Sequence, residues 1–132
     1  MRTFIVFLFI FFSASQVFAQ REFEMKDGDK TITMKQYVFC MLMKGENRTQ
    51  DSLQSAAIQK GHLAYMDSLA NLDIIHIAGP FGEDMNQRGI VIYNVASKEE
   101  AIALSKLDPA IATGRLKAEF YLWWSAKGST LK

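Results

Sequence analysis

The chain has 132 residues, with 15 basic and 14 acidic side chains, two His and one Cys. That length suits a single domain with one core. Near-zero charge offers no long-range attraction for nucleic acid or an anionic membrane surface, and a lone Cys40 excludes an intrachain disulfide.

The first nineteen residues read as a secretory signal peptide rather than as part of the fold. Arg2 supplies the positive start, and Phe4 to Phe12 form an apolar run too short to span a bilayer. Val17-Phe18-Ala19 fits a small-x-small cleavage site. The expected mature chain is residues 20–132, exported to the periplasm or the extracellular space and free of the membrane after cleavage. Losing Arg2 leaves 14 basic against 14 acidic side chains.

Residues 20–35 predict an N-terminal arm or a small hairpin, because apolar and polar residues alternate around Asp27-Gly28. Gln36 to Met43 predicts a strand with almost no alternation, which calls for cover on both faces. Cys40 lies inside that run and reads as a buried, inert thiol. Gly45-Glu46-Asn47 breaks the strand. Asn47-Arg48-Thr49 is a formal glycosylation sequon, relevant only in a eukaryotic secretory pathway.

Thr49 or Asp51 can cap a helix through about Ala70, with Leu53, Ala56, Ala57, Leu63, Met66 and Leu69 as its apolar stripe. Leu72 to Ala78 predicts a second strand, stopped by Gly79-Pro80. A polar loop, Phe81 to Gln87, leads to a third strand, Gly89 to Val95. Ser97 with Glu100 three residues on makes a capping box for a helix to about Leu107, ended by Asp108-Pro109. Ala110 to Gly114 adds a further turn, Leu116 to Trp124 the last strand, and residues 126–132 a flexible tail.

The order βαββαβ over residues 36–125 predicts an α+β, ferredoxin-like sandwich with both helices on one face of an antiparallel sheet. The first and last strands are apolar on both sides, so the bare face calls for a second copy. A homodimer packed sheet to sheet, a dimeric α/β-barrel type assembly, is the expectation.

Several pieces, in this order and spacing, carry a resemblance: His62-Leu63 with Leu69 downstream, Ala78-Gly79-Pro80-Phe81, and Asp108-Pro109 with Gly114 after it. The chain resembles the YCII-related (YciI-like) family from about Tyr37 to Trp124. Asn47-Arg48-Thr49-Gln50, Arg88-Gly89, Gly114-Arg115 and a late Trp123 make it similar to an exported branch. The resemblance implies a small dimeric ferredoxin-like protein with a His-Asp pair in a pocket. One characterised type of member removes chloride from a chlorinated hydroxyhydroquinone, and most members have no assigned reaction. The chain departs from the pattern at His76, where an aliphatic residue is usual. It departs again at Leu122, where a Pro often precedes the late Trp.

His62 and Asp108 are the candidate catalytic residues. An imidazole can act as general base and acid, and a carboxylate partner fixes its tautomer. The bland alternatives are a satisfied structural histidine and a helix-end turn former. Gly79, Pro80, Arg88, Tyr65 and Arg115 are candidate substrate-binding residues. Their bland alternatives are a strand stop, solvated loop charges and a packing tyrosine. No metal-ligand spacing, phosphate loop or nucleophile elbow is present, so cofactor-free and metal-free chemistry is expected. Two function classes follow: an acid/base lyase, isomerase or dehalogenase acting on a small cyclic or aromatic oxygenated compound, or a non-catalytic ligand-binding or structural module.

Overall fold

A computed structural model describes residues 21–132. The proposed signal peptide lies outside the described residues. The elements are β1 (Glu22–Asp27), β2 (Lys30–Lys44), α1 (Ser52–Asn71), β3 (Ile75–Pro80), β4 (Gln87–Tyr93), α2 (Lys98–Ser105), α3 (Pro109–Ala112) and β5 (Leu116–Ala126). All strand pairs are antiparallel. β5 and β4 both pair with β2, and β3 pairs with β4 at one edge. The first hairpin turns at Gly28-Asp29, and its second arm continues without a break into the strand expected from Gln36, making β2 fifteen residues long.

The period-two rule explains where the core lies. Val38, Cys40 and Leu42 of β2 share one face with Val91 and Tyr93 of β4, and with Ala118 and Phe120 of β5. Met66 and Leu69 of α1 and Ala101 of α2 pack into this same cluster, so both helices cover one side. The opposite side carries Tyr37, Phe39, Met41, Ile92, Tyr121 and Trp123. Tyr121 and Trp123 remain 52% and 40% exposed there. This explains the apolar character of β2 and β5 on both sides. Trp124, on the helix side but beyond the helices, rests edge-on against Phe23 of β1 at 4.9 Å.

Three expectations need correction. Leu53, Ala56, Ala57 and Leu63 of the expected α1 stripe are exposed. The inward stripe of α1 runs through Ile58, His62, Tyr65, Met66 and Leu69, a three-to-four-residue spacing that follows the partly buried and buried positions. His62 therefore lies on the packed stripe. The second strand begins at Ile75 and includes Gly79-Pro80, which pair with Ile90 and Gly89. Pro is tolerated there because β3 is an edge strand whose outer amides need no ladder partner. Glu100 reaches the amide of Ala96 (3.0 Å) rather than that of Ser97, while Ser97 Oγ accepts from the Glu100 amide at 3.1 Å. Asp51, not Thr49, caps α1, with Gln54 closing the reciprocal box.

Gly45 joins the end of β2 to the start of β5 at a distance no side chain tolerates. A Cβ there would lie 2.0 Å from the Gly114 carbonyl oxygen and 2.7 Å from the Arg115 carbonyl carbon. Both obstacles are backbone, and the Gly45 amide donates to the Arg115 oxygen at 2.9 Å. Gly45→Ala is expected to cost about 3 kcal/mol or more, the upper end for overpacking. Chemical denaturation of the variant checks this.

Candidate functional site

α1 and α3 meet where Asp108 precedes Pro109. A Cβ on Gly61 would approach Pro109 Cγ to 3.1 Å, so the glycine lets α1 lie close to this corner. One residue on, His62 Nδ1–H donates to Asp108 Oδ2 at 2.7 Å. The direction follows from chemistry, since an ionised carboxylate can only accept. Nδ1 thus carries a proton, and Nε2 is the ring nitrogen not engaged by Asp108. The other oxygen, Asp108 Oδ1, accepts from the Ala110 amide at 2.9 Å and caps α3. Both oxygens are engaged, which fixes the carboxylate and, through it, the ring.

The Asp108 side chain is 2% exposed and that of His62 12%. A carboxylate this deep costs several kcal/mol to desolvate unless it is paired and hydrogen-bonded, and both conditions are met. Three acidic neighbours are held in their protonated forms. Burial, and secondarily the charge on Asp108, pushes the Cys40 thiol up to about 12. The same two causes raise the Tyr65 phenol, and burial above all raises that of Tyr93.

His62 opens onto a cleft of about 390 Å³, within the usual range for a small-molecule site. Gly79, Pro80, Arg88 and Arg115 line it with His62. Asp108 sits behind the ring. Tyr65 is not among the lining residues, and its hydroxyl donates to the Leu104 carbonyl at 2.8 Å. Arg88 donates to Asp84 at 2.8 Å. The Asp84 carboxyl is held below its ordinary value, first by a hydrogen bond from Lys44 and then by Arg88. Arg48, Gln59 and Asp67 also line the cleft. Reasoning from the sequence missed them. The i, i+3 spacing of Gln59 and His62 was a usable signal, but nothing local pointed Arg48 towards Arg115, 67 positions away.

His76 lies elsewhere. Its ring packs edge-on against Tyr37 at 5.6 Å and its Nε2 is 3.0 Å from Asp73. It lines a hollow of about 190 Å³ with Trp123 and the tail residue Leu131. A larger hollow of about 480 Å³ lies among Ile102, Ile111, Leu116 and Phe120. Neither His62 nor Asp108 lines it, so size does not select the site. Of the three, only the 390 Å³ cleft is lined by His62.

Among solved structures, the chain is similar to a 5-chloro-2-hydroxyhydroquinone dehydrochlorinase from Burkholderia phenoliruptrix AC1100 in complex with 2,5-dihydroxybenzoquinone. The identity is 23%, over 65% of this chain and 92% of that chain, with a TM-score of 0.48. No curated protein matches. The YCII-related domain model matches residues 37–123, which span β2 through most of β5 and include both His62 and Asp108. The chain belongs to the YCII-related domain family.

Proposed function

We propose that this protein is a cofactor-independent acid/base enzyme in which His62 Nε2 moves a proton on a small, cyclic or aromatic oxygenated compound. Asp108 holds the ring in the required tautomer. The reaction class is a proton shift, an elimination or a dehalogenation. One observation carries the reading: a 2.7 Å His62–Asp108 contact, with both carboxylate oxygens engaged, at the wall of a 390 Å³ cleft. A structural histidine needs a partner but no cleft, and a simple binding site needs a cleft but no oriented tautomer.

The test is proton exchange. Cyclic enolisable ketones, lactones and phenols are incubated with the protein in D2O and followed by NMR. Catalysed exchange or isomerisation that vanishes in His62→Asn supports the reading. Exchange that persists unchanged in the variant overturns it.

The sheet order β5–β2–β4–β3 with both helices on one side supports a ferredoxin-like arrangement. The exposed Tyr121 and Trp123 on the other side support a second copy seated there, as in a dimeric α/β barrel. Together with the apolar start of the chain, we read an exported homodimer acting in the periplasm or outside the cell. Native mass spectrometry of the protein recovered from a secreting host is expected to give twice the mass of residues 20–132. A monomer would sink the dimer, and a retained N-terminus would sink the export.

A further inference from the structure

The cleft beside His62 is lopsided in charge. Its lining holds three guanidinium groups, Arg48, Arg88 and Arg115, against a single carboxylate, Asp67. Arg88 is paired with Asp84 at 2.8 Å. Arg48 and Arg115 form no ion pair among the described residues. Each directs a donor to a neutral acceptor instead. Arg48 Nη1 donates to the Arg115 carbonyl at 3.1 Å, and Arg115 Nη1 donates to Gln50 Oε1 at 3.2 Å.

The backbone brings the two residues to one cleft. The Asn47 side chain donates to the Thr113 carbonyl at 2.9 Å, and the Asn47 amide to that of Gly114 at 3.1 Å. The loop after β2 is thereby stitched to the loop before β5, and two cations share one rim. Guanidinium groups stay charged at any ordinary pH, and each retains donors in a fixed fork. Two guanidinium groups that line one cleft without a carboxylate partner are unfavourable for the empty protein and favourable once an anion lies between them.

We propose that the substrate of this cleft is a small carboxylate. Arg48 and Arg115 hold its two oxygens, its apolar body lies against Leu42, Met66 and Val91, and an adjacent C–H or O–H faces His62. This assignment rests on reading the cleft as a substrate site and adds the class of substrate to it. A planar two-oxygen group suits paired forks, and the rim has no glycine-rich loop of converging amides to cradle a phosphate.

The probes are benzoate, its neutral isostere benzamide, and phenyl phosphate, titrated while the His62 ring is followed by two-dimensional NMR. His76→Gln leaves one ring signal to follow, since the chain has two histidines. Benzoate is expected to move that signal and to bind about tenfold or more tighter than benzamide, with affinity falling as salt is added. The double variant R48M/R115M is expected to lose that preference. Equal binding of benzamide in the unmutated rim, tighter binding of phenyl phosphate, or full benzoate affinity in the double variant each overturns the proposal. The two readings fail separately. A benzoate preference with no exchange activity on any compound removes the catalytic reading and keeps the carboxylate as the ligand of the cleft. Neutral phenols or lactones processed at full rate by R48M/R115M would do the reverse.

Discussion

His62→Asn is expected to lower turnover by about 10²–10⁴-fold, the range for removing a general acid/base, while the fold survives. Asparagine is chosen over alanine for a physical reason. Its amide nitrogen falls near the place of imidazole Nδ1 and can still donate to Asp108 Oδ2. Alanine would strand a carboxylate whose side chain is 2% exposed, and breaking a buried pair in that way costs about 3–5 kcal/mol. Loss of activity in the alanine variant would then be confounded with unfolding. The asparagine variant keeps the partner and removes only Nε2. The measurement pairs the D2O exchange rate with a denaturation midpoint. A variant that remains folded and fully active shows that His62 is structural.

Asp108→Asn is expected to cost a comparable factor in turnover by a different route. The carbonyl oxygen of the new side chain can accept from the Ala110 amide, which retains the α3 cap. Its NH2 group then faces His62 Nδ1 and donates to it. The ring must become an acceptor at Nδ1 and carry its proton on Nε2, the wrong tautomer for a base. Stability should fall by only about 1–2 kcal/mol, because a charge-assisted bond becomes a neutral one. Asp108→Ala removes cap and partner together and should cost about 2–4 kcal/mol. The contrast separates the two roles of the residue. If Asn keeps full turnover and near-full stability while Ala loses stability, Asp108 is a cap alone. A ring 15N shift pattern in Asp108→Asn reporting the Nε2–H tautomer would confirm the route directly.

Legibility followed the range of the interaction. The hairpin, the Ser97 cap, the break at Asp108-Pro109 and the apolar β2 and β5 depend on residues a few positions apart, and local pattern suffices for these. Strand ends depended on sheet position: Gly79-Pro80 reads as a stop, yet edge strands accept proline. The α1 stripe misled because Leu53 and Leu63 are apolar but turned outward, whereas His62 and Tyr65 lie inward with partners on other elements. The His62–Asp108 pair was visible as an ordered set of short motifs. Arg48 was not, because its place at the rim depends on hydrogen bonds to Thr113 and Gly114 that bridge more than sixty positions.

Proline at the cleft end of β3 has a consequence beyond the site. An unpaired strand edge is a template on which another chain can extend a sheet without limit, the first step towards fibres. Pro80 has no amide hydrogen to offer an incoming strand, so growth along β3 is interrupted at the end that also borders the cleft. One residue thus tolerates a place in the ladder on its inner side and denies one on its outer side. A second copy on the aromatic face, as proposed above, would then form with less risk that the β3 edge recruits many.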